Sequence, residues 1–323
     1  MSVSLLNQQK NFKYYVTAFY HFFVLKNLDQ QKLKLQFMAE QRKVLGLMIL
    51  GAEGINATVC AEDLGDLSQF KNDLHNWICE ETNLDENAPL EIFFKDSTSE
   101  VKPFRRLSIK VRDEIVTLGN PALTPIGMKE NHHLSPQEWN EVLKKEKDFV
   151  LIDTRNWYET QIGTFKGSLI PDIDQFTDFP TYLEQNNIDK EKKMLIFCTG
   201  GIRCEKGILE LQEKGYQNVY QLNGGILNYI KEFPDDEFQG ECFVFDHRVA
   251  LDQNLNPTQK YGLCPHCGQP GSEKIQCLRC DSESYVCQEC LNINQSKHTC
   301  SKNCAHQFEL HPGRKGPKQQ RTF

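Results

Sequence analysis

The first hundred residues alternate between strand-like and helix-like hydrophobic patterns. Residues 14–25 are rich in aromatic and β-branched side chains, which favours a β-strand. Apolar positions then recur at helical spacing over residues 30–42, and Asp29 stands where a helix N-cap is expected. The apolar face predicted for this helix consists of Leu33, Phe37 and Met38. The aromatic residues of the strand, which suit either a sheet core or stacking on nucleic-acid bases, are Tyr14, Tyr15, Phe19 and Tyr20.

The same region continues with a strand pair, a second helix and a further strand. Residues 45–50 and 55–60 are apolar runs separated by a glycine-containing turn, which is typical of a hairpin. A second amphipathic helix is predicted over 64–78 and a fourth strand over 90–94. The buried stripe of that helix is predicted to comprise Leu67, Phe70, Leu74, Trp77 and Ile78. This order of elements predicts a ferredoxin-like (acylphosphatase-like) α+β βαββαβ domain over residues 1–97.

From residue 126 to residue 240, short apolar runs alternate with helical patterns, as in a parallel α/β sheet. One of these runs, residues 194–197, ends at Cys198. A helical pattern follows over 204–214 and stops at Gly215. Cys198 is therefore predicted at the carboxyl end of a buried strand and opposite a helix N-terminus, where α/β sheets tend to bind ligands.

The loop that begins at Cys198 carries features that stabilise a thiolate. Gly200 and Gly201 allow a curled backbone whose N–H groups point inward, and Arg203 and the helix dipole add positive potential. We expect this environment to lower the pKa of Cys198. The alternative is that Cys198 is a small buried hydrophobic residue. The predicted catalytic residues are Cys198 and Arg203, and the loop between them consists of Thr199, Gly200, Gly201 and Ile202.

Several motifs in this part of the chain resemble a rhodanese domain. Only four residues separate Cys198 from Arg203, whereas the tyrosine phosphatase loop is longer and holds a phosphate. Residues 149–155 match the buried rhodanese strand that ends in Asp-x-Arg, and residues 159–168 match the segment leading into the next strand. Residues 219–226 match its last strand and double-glycine turn. Asp153 and Arg155 are interpreted as structural partners at a strand end rather than as chemical groups.

Other motifs resemble one family, the bacterial tRNA uridine(34) hydroxylases. They are residues 198–206 (Cys-Thr-Gly-Gly-Ile-Arg-Cys-Glu-Lys), 155–159 and, outside the rhodanese-like part, 53–58. The resemblance implies oxygen-dependent conversion of the wobble uridine to 5-hydroxyuridine, with tRNA bound through its anticodon loop. It also implies that Cys198 is the catalytic residue, often described as a persulfide carrier. The electron donor is unknown, and the sequence contains no recognisable flavin or haem motif.

Three hypotheses about function follow. In the first, a tRNA hydroxylase, the Cys198 thiolate attacks uracil C6, and the resulting enolate carries electron density at C5 that can meet molecular oxygen. Arg203 and the loop amides hold the negative charge. The second is a rhodanese-type sulfurtransferase with a persulfide on Cys198, for which Cys204 is either a resolving thiol or a packed residue. The third is a metal-stabilised protein that binds RNA or a protein partner.

A basic segment lies between the two predicted domains and is interpreted as a linker over residues 98–125. It can follow the phosphates of an RNA stem, or it can be a solvated strand edge protected by its charges. The candidate RNA contacts are Lys102, Arg105, Arg106, Lys110 and Arg112.

The last region, residues 241–323, is rich in cysteine. Three CxxC pairs and two further cysteines provide eight thiols, enough to close two tetrahedral sites, and structural zinc is the expected metal. Redox-active CxxC pairs and iron are the alternatives, and the pairing of ligands stays open because His298, His306 or Cys242 could replace a thiol. The predicted ligands are Cys264, Cys267, Cys277, Cys280, Cys287, Cys290, Cys300 and Cys304. Residues 311–323 form a basic tail that we expect to be disordered.

Composition limits the remaining options. The chain has 323 residues, a net charge of −7 and a pI near 5.8, so contact with nucleic acid requires a local basic patch. It shows neither a signal peptide nor a transmembrane run, so no membrane partner is expected. Thirteen cysteines without a secretion signal favour a reducing cytoplasm.

Overall fold

The amino-terminal domain is a five-stranded sheet with two helices. A computed structural model of the chain describes residues 13–85, 92–128 and 132–318. The strands and helices of this domain are β1 (Tyr14–Phe22), α1 (Leu28–Gln41), β2 (Leu45–Gly51), β3 (Gly54–Ala61), α2 (Leu64–Thr82), β4 (Lys95–Ser99) and β5 (Leu107–Val111). The strand order β4-β1-β3-β2-β5 confirms the ferredoxin-like arrangement and adds a fifth strand, which runs parallel to β2.

The two faces of this sheet differ in what covers them. Both helices contribute to the hydrophobic core on one face, where the whole stripe predicted for α2 is buried. The opposite face carries Ala18 and Tyr20 of β1 beside their β3 partners Thr58 and Asn56. This second face forms one wall of a cleft towards the central domain.

The prediction for α1 was wrong in two respects. The helix starts at Leu28 after Asn27, so Asp29 lies in its first turn and does not cap it. Leu33 and Phe37 are exposed, and the residues of α1 that are buried are Gln31, Leu35 and Ala39. Burial of Gln31 is possible because the Trp77 indole N–H donates a hydrogen bond to its side-chain oxygen at 2.8 Å.

Two further expectations for this region need correction. The fourth strand lies at residues 95–99, and residues 92–94 of the predicted strand are not in a strand, while 90 and 91 lie outside the described residues. The segment interpreted as a linker includes β5, whose residue Ile109 packs into the core of the amino-terminal domain. Part of the basic segment is therefore an edge strand of the sheet.

The central domain has the predicted parallel α/β arrangement. Its elements are β6 (His133–Leu134), α3 (Pro136–Lys145), β7 (Phe149–Asp153), α4 (Trp157–Thr160), β8 (Gly163–Phe165), α5 (Phe179–Gln185), β9 (Lys193–Phe197), α6 (Ile202–Glu213), β10 (Val219–Leu222), α7 (Gly225–Glu232) and β11 (Phe238–Gly240). Four parallel strands form a sheet in the order β6-β10-β9-β7. Strand β9 is central and fully apolar from Met194 to Phe197, with these four residues entirely buried.

The Asp-x-Arg pair at the end of β7 is structural, as predicted. Arg155 Nη2 lies 2.6 Å from Asp153 Oδ2, and both side chains have no exposed surface. Arg155 also donates a hydrogen bond to the carbonyl of Gly163 at 2.5 Å. The pair thus joins β7 to β8 inside the protein.

The carboxyl-terminal region consists of short hairpins and two helices. Its elements are β12 (Cys242–Phe243), β13 (Ala250–Leu251), β14 (Gly262–Leu263), β15 (Pro270–Gly271), β16 (Glu273–Gln276), β17 (Glu283–Val286), α8 (Gln288–Ile293) and α9 (Lys302–Leu310). The tail contacts this region as far as Gly316, contrary to the expected disorder, since Arg279 donates to the carbonyl of Arg314, Lys315 pairs with Asp281 and the Gly316 N–H donates to the carbonyl of Arg279. Arg321 lies outside the described residues. None of the helices in the described ranges is long and apolar enough to cross a membrane.

Candidate active site and cysteine clusters

Cys198 lies directly after β9, in a tight loop that leads into α6. The helix begins at Ile202, two residues earlier than predicted, and places Arg203 in its first turn. The backbone N–H of Gly201 donates a hydrogen bond to Cys198 Sγ at 3.1 Å. Cys198 is almost fully buried, with 1% of its surface exposed. The thiol therefore faces backbone donors and a helix N-terminus, as the sequence predicts.

The surroundings of Cys198 favour its thiolate. Burial alone raises the pKa of a thiol, because a charged sulfur loses its hydration. This effect is outweighed by a hydrogen bond from Cys204, by the positive charge of Arg203 and by the backbone N–H groups of Arg203 and Gly200. Together they hold the pKa of Cys198 well below its ordinary value.

The surroundings of Cys204 favour its neutral thiol. It is completely buried on α6, and burial and the neighbouring Cys198 raise its pKa. The Thr154 hydroxyl lies 3.7 Å from its sulfur. Cys204 is thus packed inside the protein, and its raised pKa favours the thiol form that donates a hydrogen bond to Cys198.

Arg203 is held by a carboxylate that the sequence analysis did not single out. Its guanidinium donates two hydrogen bonds to Glu159 of α4, at 2.6 and 2.8 Å. Glu159 is fully buried, and its charge raises the pKa of Arg203 against the effect of burial. The pair fixes the guanidinium in position. The negative charge of Glu159 also offsets part of the positive charge that the sequence predicts beside the thiolate.

The glycines of the loop serve different purposes. Gly201 has φ +98°, a conformation that favours glycine, and a side chain there would meet the Tyr20 hydroxyl at 2.9 Å. Gly225, at the start of α7, has φ +68°, and its Cβ would lie 2.6 Å from the carbonyl oxygen of Cys198. At Gly200 the side chain that approaches is Lys95, 3.5 Å from the position of a Cβ. Close approach of neighbouring segments therefore adds to the need for glycine.

Cys198 lines a cleft of about 390 Å³ between the amino-terminal sheet and the central domain. One wall is the uncovered face of the sheet, with Tyr20 and Asn56, and the other is the cysteine loop. Phe245, 56% exposed, and the neighbouring ion pair of Asp246 with Arg248 close one side. This volume falls in the range that holds a small ligand or a single nucleobase.

Helix α6 also connects the two domains through buried polar contacts. Glu205 accepts a hydrogen bond from the Tyr20 hydroxyl at 2.7 Å and contacts His133 at 2.9 Å. Lys206, with no exposed surface, lies 2.9 Å from Glu53 and 2.6 Å from Glu114. The sequence motifs at 53–58 and 198–206 are thus brought together by a salt bridge between domains.

Comparison with known proteins covers all three regions of the chain. Sequence models described as UPF0176 acylphosphatase like domain, Rhodanese-like domain and Rhodanase C-terminal match residues 14–115, 135–232 and 239–305. A protein of Bdellovibrio bacteriovorus named tRNA uridine(34) hydroxylase is 57% identical over 96% of this chain and 86% of its own length. The chain belongs to the tRNA uridine(34) hydroxylase family. Proteins of the same name from Picosynechococcus sp. and Synechocystis sp. are 39% and 40% identical over 79% and 80% of this chain, and over 82% and 89% of their own.

The basic residues of this family member are only partly gathered at the cleft. Arg112 lines the cleft, and Lys110 is paired with Ile49, a cleft-facing residue of β2. Both side chains are exposed, so this edge of the sheet carries two cations at the mouth of the cleft. Arg105 and Arg106 are exposed before β5, while Lys102 is half-buried.

Two groups of four cysteines can each hold a metal ion. The ligand atoms within each group lie within 4.8 Å of one another. The first group unites Cys264 and Cys267 with Cys287 and Cys290; the second consists of Cys277, Cys280, Cys300 and Cys304. Sulfur separations such as 3.5 Å for Cys280 and Cys300 fit a tetrahedral site with metal–sulfur bonds of about 2.3 Å. The CxxC pairs therefore alternate between the two sites along the chain.

The three residues considered as substitute ligands do not belong to these groups. Cys242 is buried in the core of the central domain, and burial raises its pKa to about 12. His298 and His306 lie outside both groups of four. The spacing of the cysteines predicted the eight candidate ligands, and the fold sorts them into two groups of four.

Proposed function

We propose that this chain hydroxylates uridine 34 of tRNA to 5-hydroxyuridine, with Cys198 as the nucleophile. The observation that carries the proposal is a thiolate-stabilised cysteine in a base-sized cleft. The similarity to relatives named tRNA uridine(34) hydroxylase extends over most of the chain and supports the proposed substrate and reaction. The neutralised Arg203–Glu159 pair keeps the loop rigid under the incoming base.

In the proposed mechanism the Cys198 thiolate adds to C6 of the uracil ring. The electron pair of the C5–C6 double bond moves towards C5 and O4, which makes C5 a nucleophile. C5 reacts with molecular oxygen, one oxygen atom remains as the hydroxyl group and the other leaves as water. This stoichiometry takes two electrons and two protons from an external two-electron donor such as a dithiol. Loss of the C5 proton and of the thiolate then restores the aromatic ring and the enzyme.

The anticodon loop is the part of tRNA that the cleft must admit. A base in a stacked loop reaches a recessed sulfur only if it turns out of the stack. Exposed Phe245 beside the cleft offers a surface on which such a base can stack, and Lys110 and Arg112 offer charges for the adjoining phosphates. Since tRNA is the proposed substrate and no disulfide joins the cysteines of the described residues, the cytoplasm is the proposed location.

For the two cysteine clusters we propose zinc in a structural role. Four thiolates at tetrahedral spacing form a closed set that leaves no position for a substrate. Few hydrophobic residues are buried around them, since the two clusters themselves form most of the local core. Metal binding would therefore supply much of the free energy that folds this region.

The experiment that tests the function compares nucleosides from cells that contain or lack the intact gene. We expect 5-hydroxyuridine at the wobble position to be lost without the gene, and to be restored by the wild-type protein but not by Cys198→Ala. Cys242→Ala, a buried cysteine outside the cleft, is the matched control and should restore it. Restoration of 5-hydroxyuridine by Cys198→Ala would exclude Cys198 as the nucleophile.

A second experiment distinguishes covalent addition from sulfur transfer. Transfer RNA with 5-fluorouridine at position 34 should form an adduct on Cys198, because fluorine cannot leave C5 as the proton does. Mass spectrometry of peptides locates the adduct. A gain of one sulfur on Cys198 from a sulfur donor, with thiosulfate turnover in the absence of RNA and without an adduct, would favour a sulfurtransferase.

A further inference from the structure

Lys95 of the amino-terminal domain lies over the cysteine loop of the central domain. It begins β4, it is 8% exposed, and its aliphatic carbons lie 3.5 Å from the position of a Gly200 side chain. Its Nζ lies 4.7 Å from the centre of the Tyr20 ring and 5.2 Å from that of Phe93. Two aromatic rings therefore hold the ammonium group beside the active-site loop.

This ammonium group has no carboxylate partner within the described parts of the chain. Among the residues that the structure describes, it donates one hydrogen bond, to the backbone carbonyl of Phe93 at 3.3 Å. A buried cation without a counter-ion is costly, so such lysines are usually paired or functional. The negative groups that act on Lys95 are Cys198 and Glu205.

The carboxylate and the other cation of the site are already engaged. Glu205 contacts the Tyr20 hydroxyl and His133, and Arg203 is bound at two points by Glu159. What remains is one thiolate whose charged neighbour Arg203 is already paired with Glu159, and one ammonium group without a carboxylate partner in the described residues. Cys198 and Lys95 come from different domains, both line the cleft, and the Lys95 side chain passes the cysteine loop at Gly200.

We propose that Lys95 is the positioning cation of the Cys198 thiolate, supplied by the amino-terminal domain. It acts through Cys198 by stabilising a charged sulfur that is almost fully buried. Resting on the proposed function, we also assign Lys95 a role during the reaction. When the sulfur adds to C6, the charge moves to the uracil ring, and the same ammonium group remains beside it without reorganisation.

The protonation state of Lys95 is compatible with this role. Burial lowers its pKa to about 8, while the charges of Cys198 and Glu205 act in the opposite direction. The ammonium form therefore persists at neutral pH. The other titratable or charged groups around it are Tyr20, Glu205, Asp96 with its partner Lys71, Lys231, and the pair of Asp246 with Arg248.

The test measures the pH dependence of Cys198 alkylation by iodoacetamide in the full chain without tRNA. Peptide mass spectrometry reads the modification of Cys198 among the other cysteines. In Lys95→Met we expect the midpoint to rise by about one pH unit or more, since a nearby opposite charge shifts a pKa by that amount. Below the wild-type midpoint this corresponds to an alkylation rate roughly tenfold lower. An unchanged midpoint in a folded Lys95→Met protein overturns the proposal.

Two further variants show whether the charge of Lys95 causes the shift of the alkylation midpoint. Lys95→Arg keeps a cation, so its alkylation midpoint should stay close to that of the wild type. A shift equal to that of Lys95→Met overturns the role proposed for the charge of Lys95. Lys231→Met is the matched control, because Lys231 lines the adjoining pocket with Lys95 but lies on the exposed side of α7. Its midpoint should equal that of the wild type. Thermal unfolding of each variant shows that it is folded.

A measurement on the wild-type chain avoids any question of misfolding. Alkylation with iodoacetamide converts the Cys198 thiolate into a neutral thioether, so by linkage the pKa of Lys95 should fall. Titration by NMR with ¹³C-labelled lysine detects that change. An unaltered Lys95 titration overturns the proposal.

The alkylation and NMR arms need no tRNA, so they decide the role of Lys95 even if the proposed function fails. With tRNA containing 5-fluorouridine, Lys95→Met should form the Cys198 adduct more slowly than Lys231→Met. Failure of the wild type to form any adduct would contradict the proposed function alone. Equal rates for the two variants would contradict the extension to the uracil ring.

Discussion

Lys206 Nζ lies 2.9 Å from Glu53 Oε2, so a fully buried lysine of the central domain pairs with the β2–β3 turn of the amino-terminal domain. Glu114 Oε2 lies 2.6 Å from the same nitrogen. The carboxylates also accept backbone N–H groups, Glu53 from Ile115 and Glu114 from Leu118. This buried triad joins the two domains that form the cleft.

Replacing Lys206 with Met should strongly destabilise the docked arrangement. Two buried carboxylates would lose their cation, which costs about 3–5 kcal/mol in comparable pairs. Denaturant unfolding should show this loss. Lys34→Met removes an exposed lysine paired with Glu80 and Glu81, and it should cost at most about 1 kcal/mol. Equal losses in the two variants would contradict a special role for the triad.

Substitution of Gly225 by Ala should damage the active-site loop, whereas Gly200→Ala should be tolerated. A Cβ at Gly225 would lie 2.6 Å from the carbonyl of Cys198 at φ +68°, but at Gly200 it would meet only Lys95 at an ordinary 3.5 Å. We expect at least about 2 kcal/mol of lost stability for Gly225→Ala, from backbone strain and overpacking. Chemical denaturation measures the loss, and Cys198 alkylation measures the loop. A larger loss of stability in Gly200→Ala than in Gly225→Ala would contradict this prediction.

Removing one cluster cysteine should remove one metal ion and leave the other. Cys264→Ser disrupts the first group of four and Cys304→Ser the second, because the groups share no ligand. We expect the zinc content to fall from about two ions per chain to about one in each variant. Elemental analysis after gel filtration measures this. Cys242→Ser should keep both ions, and loss of both from Cys264→Ser alone would indicate that the two sites are not independent.

Lys110→Gln and Arg112→Gln should weaken tRNA binding and reduce its dependence on salt. Each phosphate contact that is lost lowers the slope of log K against log salt by about 0.7 to 0.9. Binding titrations at several salt concentrations give that slope. Lys34→Gln serves as the control, since α1 packs on the opposite face of the sheet from the cleft. An unchanged slope in both test variants would place the RNA elsewhere.

Local sequence predicted much of the candidate site. The apolar run before Cys198 and the glycines after it lead directly to a strand, a tight loop and a helix N-terminus. Helix α2 was predicted with its correct buried stripe because large apolar residues dominate one face. The face of α1 was not, because Gln31 and Ala39 are buried there and hydrophobicity does not identify them. The strand β5 was missed because Lys110 within it and the basic residues on either side of it conceal the apolar pattern.

What the amino-acid sequence determined by itself is short-range: the order of the elements, the backbone of the Cys198 loop and the CxxC pairs. These follow from steric and hydrogen-bonding preferences of neighbouring residues. The tertiary structure decided the contacts of Lys95, the pairing of the cysteines and the bond between Tyr20 and Glu205, which are 185 positions apart. The contacts of Lys95 and Tyr20 depend on how two domains pack against each other, and the cysteine pairing depends on how the carboxyl-terminal region folds on itself; no local periodicity encodes either. The environment of the thiolate is therefore a property of the assembled domains.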